Sequence, residues 1–166
     1  MKKSKYIIFI LLTLFTAVFF ASCTSEGFKN TISCNEIEIA LEKEFNPQEQ
    51  GFSQYTDDEL KFLFPSTKIY DDAIIIYSND SVDITEIGIL HASSEKNANA
   101  LFEEARLYIK ELQEQKREFL QSYSPSEVPR LNSAEARRFG EYVVFAVASS
   151  EEKDVIFTTV ESILKQ

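Results

Sequence analysis

The sequence predicts an α+β domain in two layers, with helices packed on a four-stranded, mostly antiparallel sheet. Two pairs of strand-like segments, at 73–91 and 134–148, each contain a short turn and indicate β-hairpins. A long amphipathic segment between the pairs, and shorter ones before and after them, indicate helices. The predicted order of elements is therefore α-α-β-β-α-β-β-α, which favours a mostly antiparallel sheet.

Two capping boxes predict where the first helices begin. Residues 33–36 and 56–59 each place a hydroxyl three positions before a glutamate, so that the two side chains satisfy free amides at a helix N-terminus. Apolar residues follow the first box at helical spacing, and the helix is expected to end at Pro47. The second box begins a short helix that Pro65 stops.

The first hairpin contains a strongly apolar strand. Residues 73–77 are rich in β-branched side chains and too few for a helix, so this strand is expected to be buried on both faces. Turn-forming residues at 78–81 separate it from a second strand over 83–91.

A long helix is predicted from a cap at Ser93 or Ser94 to about Ser122. Apolar residues recur along it at helical spacing, and charged residues occupy the opposite face. The apolar stripe is interrupted at 113–116, so the C-terminal turns are expected to project beyond a small sheet.

The segment 123–131 is predicted to be an extended connection stiffened by two prolines. A second hairpin follows, with strands over 134–138 and 142–148, and the strand that begins at Tyr142 should be central in the sheet. The sequence at 149–152 then predicts the start of the last helix.

The N-terminus has the pattern of a secretory signal. Basic residues occupy 1–5, an apolar stretch covers 7–21, and small residues precede Cys23. Cys23 in this place resembles the lipobox of bacterial lipoproteins, in which a diacylglyceryl group is attached to the thiol after cleavage, although Phe20 stands where Leu is usual. A retained membrane helix and an ordinary cleaved signal are the alternatives, but the apolar stretch is shorter than the roughly 20 residues that span a bilayer.

This interpretation divides the chain into a lipoprotein signal peptide (1–22), a lipidated N-terminus and spacer (23–32), and one α+β domain (33–166). The expected location is the extracytoplasmic face of the cell membrane, where Cys23 would contact membrane lipid. Loss of the three signal lysines takes the net charge from −10 to −13. So acidic a chain is a poor partner for nucleic acid, whose phosphates require Lys and Arg.

From Asp71 onward the chain resembles a family of small Gram-positive (Clostridia-type) bacterial lipoproteins that share a domain of unknown function. The matching pieces are the strand residues 74–77 and 86–89 and the long helix. The most specific piece is the pattern Tyr123-x-Pro125-x-Glu127-x-Pro129-x-Leu131, followed by Ala134 and then by Gly140-x-Tyr142-Val143. The resemblance implies the lipoprotein address and a single small domain, and it implies no activity.

No catalytic or metal-binding motif stands out. His91 is the only histidine and no nucleophile elbow accompanies it, so a hydrolase triad is not indicated, and Cys34 is expected to be a small structural residue. Zinc would lack ligands, and the acidic turn at 79–83 lacks the spacing of a calcium loop. A sugar cleft is disfavoured because the chain has no Trp; Phe52 and Tyr55, in a polar loop, are the aromatic residues expected to be most exposed.

The functional hypothesis is a non-catalytic binding or interaction module of the cell envelope, without a cofactor. Its expected partner surface consists of Tyr123, Pro125, Glu127 and Pro129. The prolines would present a preordered ribbon to an envelope protein, although the same residues could simply steer the chain back to the sheet. The alternatives are a small envelope-acting hydrolase and an accessory component of an envelope or transport complex; the oligomeric state is left open.

Overall fold

A computed structural model describes residues 27–45 and 51–165 of the chain. The signal peptide predicted at 1–22, the lipidation site predicted at Cys23 and the helix end predicted at Pro47 lie outside the described residues. Within the described ranges, no helix is both long and apolar enough to cross a membrane.

The described residues include five strands: β1 (Phe52–Gln54), β2 (Tyr70–Ser78), β3 (Glu86–Ala92), β4 (Glu135–Phe139) and β5 (Tyr142–Val147). They form one antiparallel sheet in the order β1-β2-β3-β5-β4. Both predicted hairpins are present, and β5 lies between β3 and β4, which confirms that the strand starting at Tyr142 is central.

The prediction of four strands was wrong because it missed β1. This strand pairs with the end of β2, with Phe52 opposite Ser78 and Gln54 opposite Ile76. It is a three-residue edge strand held by backbone hydrogen bonds, so its side chains carry almost no strand signal. The pairing also corrects the expectation for Phe52 and Tyr55, which are half-buried rather than exposed.

Five α-helices occur in the described part of the chain: α1 (Cys34–Phe45), α2 (Asp57–Leu63), α3 (Glu95–Tyr123), α4 (Val128–Asn132) and α5 (Ser150–Leu164). Three begin at capping boxes, with Ser33, Thr56 and Ser149 as the capping residues. The first two boxes are those that the sequence predicts, and the third lies at the predicted start of the last helix. Ser94 caps the long helix by accepting a hydrogen bond from the amide of Asn97. These local signals are reliable because each is complete within four residues.

The helices cover both faces of the sheet, so the domain has three layers rather than the predicted two. On one face, the strand residues Ile74, Ile87 and Val144 share a core with α1 and α5. On the other face, Ile75 and Phe145 share a second core with α2 and α3. Strands whose side chains are buried on both faces require cover on both, which a two-layer arrangement cannot supply.

The centre of the sheet is closely packed at Gly88 on β3. A Cβ atom at this position would lie 2.0 Å from Cε1 of Phe145, which is opposite on β5 and fully buried. Gly88 therefore makes room for the Phe145 ring on the α3 side of the sheet.

The segment after the long helix is helical, so the predicted extended ribbon was wrong. A single 3₁₀ turn over Pro125–Glu127 leads directly into α4. Both prolines occupy the first turn of their helices, where the fixed proline φ suits the helix and the missing N–H costs nothing. The two short helices pack against the C-terminal part of α3, which therefore does not project freely.

Candidate functional site

A pocket of about 190 Å³ opens where β2, β3 and the long helix meet. We call it the Glu86 pocket, after the carboxyl group at its base. Strand pairing puts Glu86 at the first position of β3, opposite Tyr77 on β2 and Val147 on β5. The pocket is lined by Tyr55, Tyr77, Ser78, Asp80, Ser81, Asp83, Ile84, Thr85, Glu86, Leu112 and Lys116.

Glu86 is a carboxyl group inside the protein, only 6% exposed. The Tyr108 hydroxyl on α3 donates a hydrogen bond to its Oε1 at 2.6 Å. Burial raises the pKa of Glu86 to about 7, and hydrogen bonding from Tyr108 and the positive charge of Lys116 offset part of that rise. Glu86 therefore changes charge near neutral pH, which is where a group that binds or transfers a proton is useful.

Two tyrosines on different elements hold this carboxyl in place. The Tyr108 ring packs against both Phe64 and Phe145, with ring centroids 5.4 Å and 5.3 Å away. Tyr55, just after β1, interacts with both the carboxyl and the Tyr108 hydroxyl. Burial and the neighbouring Glu86 charge raise the pKa of Tyr108 and raise the pKa of Tyr55 to about 12, so both remain neutral hydrogen-bond donors at physiological pH.

The mouth of the pocket is fixed by a network around Arg130 of α4. Its Nη1 lies 2.9 Å from Asp83 Oδ1, 2.9 Å from Thr85 Oγ1 and 3.0 Å from Glu127 Oε2. Burial alone would raise the pKa of Asp83, but hydrogen bonds from Thr85 and Ser78 and the Arg130 charge lower it overall. Asp83 is therefore an ionised carboxylate committed to organising the loop before β3.

A second polar cluster lies at the opposite end of the sheet. His91 Nδ1 is 2.7 Å from Asp71 Oδ1, and its Nε2 is 3.7 Å from Glu141 Oε2. The nearby Cys34 thiol is fully buried, and burial together with the charge of Asp72 raises its pKa. A thiol whose pKa is raised is a poor nucleophile, and Cys34 has the structural place in the first turn of α1 that the sequence indicates.

The four residues predicted as a partner surface differ in their exposure and contacts. The Tyr123 side chain is 73% exposed and stacks on Phe119 with 5.0 Å between ring centroids. Pro125 and Pro129 are exposed, but the Glu127 carboxylate is held by Arg130. Their role in partner binding stays a prediction, and Glu127 is better described as part of the Arg130 network.

Two carboxylates of the acidic turn at 79–83 make contacts within the loop and to α4. Asp80 accepts a hydrogen bond from the Val82 amide, and Asp83 faces Thr85 and Arg130. Among residues 27–45 and 51–165, no group of three or more His, Cys, Asp or Glu side chains is placed to hold a metal ion.

Sequence reasoning missed the residues that form the base of the pocket. Glu86, Tyr55 and Tyr108 belong to three separate segments, so no local motif joins them. The one usable signal was Glu86 itself, a charged residue at the start of an otherwise apolar strand, because such residues are rarely buried without a specific reason.

A family model described as a domain of unknown function, DUF4358, matches residues 65–148. The match contains β2, β3, the long helix, both short helices and the second hairpin, and it includes Glu86, Tyr108 and Arg130. No curated protein and no solved structure matches the chain significantly.

The raised pKa of Glu86 predicts a contribution to stability that depends on pH. Folding raises this pKa from 4.5 to about 7, so the stabilisation from the retained proton is complete below pH 4.5 and is lost as the pH rises through 7. We expect the unfolding free energy of the natural protein, relative to Glu86→Gln, to fall by roughly 3 kcal/mol between pH 4 and pH 8. Urea denaturation at each pH measures it.

The matched control is Glu103→Gln, because Glu103 is an exposed carboxylate paired only with Arg106 on the surface of α3. The difference in unfolding free energy between Glu103→Gln and the natural protein should change by less than about 0.5 kcal/mol between pH 4 and pH 8. A Glu86→Gln difference that stays constant with pH would contradict the assigned burial of the carboxyl.

Proposed function

The chain belongs to the DUF4358 family of domains of unknown function, and from that premise we propose that it is a lipid-anchored binding module of the cell envelope whose ligand occupies the Glu86 pocket. The observation that carries the proposal is the convergence of a buried carboxyl, tyrosine hydroxyls and a charged rim on one recess. A recess with convergent polar groups and a shifted pKa is the usual form of a small-ligand site.

The N-terminal segment supports an anchor close to the domain. The Phe28 ring packs edge-on against Phe139 with centroids 5.9 Å apart, and the Ile32 amide donates to the Tyr142 hydroxyl. The Lys29 amide donates to the Leu164 carbonyl. Residues 28–32 are thus held by the domain, which leaves a link of few residues after Cys23 and keeps the domain within about 20 Å of a lipidated cysteine.

The position of the pocket suits a module anchored at that end. The N-terminal segment contacts the start of β5 and the end of α5, whereas Glu86 lies opposite Val147 at the other end of β5. The two sites are separated by the length of the central strands, about 20 Å at 3.3 Å per residue. An anchor at Cys23 would therefore leave the mouth of the pocket on the side away from the membrane.

Binding rather than catalysis is the function that the geometry supports best. Of the acids that line the pocket, Asp83 is held by Arg130 and Thr85 and is therefore not free to share a reaction with Glu86. The small envelope-acting hydrolase remains the second candidate, because a carboxyl with a pKa near 7 suits general acid–base chemistry. The exposed rings of Phe119 and Tyr123 support the accessory role in an envelope complex, because exposed aromatic side chains can bind a partner protein.

Lipid attachment is tested by metabolic labelling with a palmitate analogue in the producing bacterium. We expect label on the natural protein and none on Cys23→Ser, because the thiol of Cys23 is the proposed acceptor. Cys34→Ser is the matched control and should retain the label, since Cys34 is buried in α1. Labelling that survives in Cys23→Ser, or that is lost in Cys34→Ser alone, would contradict the anchor.

Occupation of the pocket is tested by dialysing the protein against an envelope extract and identifying retained compounds by mass spectrometry. We compare the natural protein with Ser81→Trp, which places a large ring at the exposed rim of the pocket. The control is Thr158→Trp, an equally large change at an exposed position of α5. We expect a compound that the natural protein and the control retain and that Ser81→Trp retains at least tenfold less.

Identical retention by all three proteins would contradict the pocket as the binding site. Recovery of the compound with its mass unchanged supports a binding module. Conversion into a product by the natural protein, abolished in Glu86→Gln, would replace the binding module by the hydrolase.

A further inference from the structure

The walls of the Glu86 pocket select for positive charge. Three carboxylate side chains line it, those of Asp80, Asp83 and Glu86, against one cationic side chain, that of Lys116. Arg130 neutralises Asp83 from outside the pocket, so Glu86 at the base and Asp80 at the rim remain available to a ligand.

Aromatic faces stand beside this carboxyl. The rings of Tyr55 and Tyr77 are in contact, with centroids 4.4 Å apart and planes inclined by 32°. Both line the pocket, together with the apolar side chains of Ile84 and Leu112. Electron-rich tyrosine rings attract cations and also pack against alkyl groups. The rings and the carboxylate at the base therefore favour the same kind of ligand, a cation with an alkyl chain.

Lys116 shows what kind of group the pocket accepts. Its side chain starts from an exposed position of α3, and its ammonium charge is near enough to Glu86 to lower the carboxyl pKa. The residue thus places a primary ammonium charge at the wall of the pocket, where it favours the ionised form of Glu86. A free ligand with the same group would take its place, and the flexible lysine side chain would turn to solvent.

The size of the pocket limits the ligand. A volume of about 190 Å³ is below the roughly 300–1,000 Å³ of pockets that enclose drug-sized ligands. A short alkyl chain that ends in an ammonium group suits this volume better than a sugar chain or a nucleotide.

We propose that the Glu86 pocket binds small organic cations that carry a primary ammonium group on a short alkyl chain. The inference rests on the proposed function of the pocket. The ammonium group pairs with the Glu86 carboxylate at the base, and the alkyl chain lies against the rings of Tyr55 and Tyr77. The acidic character of the whole chain, with a net charge of −10, favours the approach of such ligands.

The test is an NMR titration of the full chain in detergent with n-butylammonium, following the amides of Ser78, Thr85 and Leu112. Matched probes of the same length are n-butanol, which is neutral, and butyrate, which is anionic. We expect saturable shifts at pH 8 for n-butylammonium, and affinities at least tenfold lower for both other probes. Glu86→Gln should weaken n-butylammonium binding at least tenfold, while Lys116→Met, which removes the competing ammonium, should strengthen it several-fold.

The pH dependence separates this ion pair from simple apolar binding. The titratable and charged groups around Glu86 are those of Tyr55, Tyr77, Tyr108, Lys116, Asp80, and Asp83 with its partner Arg130. Glu86 changes charge near pH 7, and the ligand keeps its charge throughout. Affinity for n-butylammonium should therefore fall about 30-fold from pH 8 to pH 5.5, because only about 3% of Glu86 is then ionised.

Two outcomes would overturn the inference. Binding of n-butanol or butyrate as tight as that of n-butylammonium would reject the ligand class. So would an unchanged affinity in Glu86→Gln. Both outcomes leave the pocket itself as a binding site, which the dialysis comparison with Ser81→Trp decides independently.

Discussion

Burial of the central strands on both faces is the constraint on which the rest of the structure depends. Every residue of β5 is buried, and β3 beside it is buried at all but one position. Helices must therefore cover the sheet from both sides, with α1 and α5 on one face and α2 and α3 on the other. Because Gly88 has no side chain, the fully buried Phe145 ring lies directly against β3. The α3 side of the sheet is closely packed as a result.

The same burial reaches Glu86 at the first position of β3, where it encloses a carboxyl group. An isolated charge in such a place is costly, and burial therefore raises the pKa of Glu86. Hydrogen bonding from the Tyr108 hydroxyl and from the nearby Tyr55 offsets part of that cost. The loop before β3 is held separately by Arg130, which joins α4 to Asp83 and Thr85. Packing thus places a carboxyl that ionises near neutral pH beside a loop that Arg130 holds. Both features are used in the proposed binding of cations.

Local signals in the sequence predicted much of the fold. The capping boxes, both hairpins and the long helix were predictable because each depends on residues close together in the chain. Strand β1 was not, because its three residues are defined by pairing with Ser78 to Ile76 rather than by their own side chains. The third layer could have been inferred from residues 73–77, since a strand buried on both faces needs cover on both. Pro125 and Pro129 led to the wrong prediction of an extended ribbon, because proline suits both an extended chain and the first turn of a helix. The pocket could not be predicted from the sequence, because Tyr55, Glu86 and Tyr108 come together only when the sheet packs against α3.

The proposed binding of cations depends on Glu86 being an enclosed carboxyl that is about half protonated at neutral pH. The most direct measurement is an NMR titration of the Glu86 side-chain carboxyl carbon, assigned by comparison with Glu86→Gln. We expect a midpoint near pH 7, well above the value of about 4.3 for an unperturbed glutamate side chain. A Glu86 midpoint close to that unperturbed value would contradict the enclosure of the carboxyl.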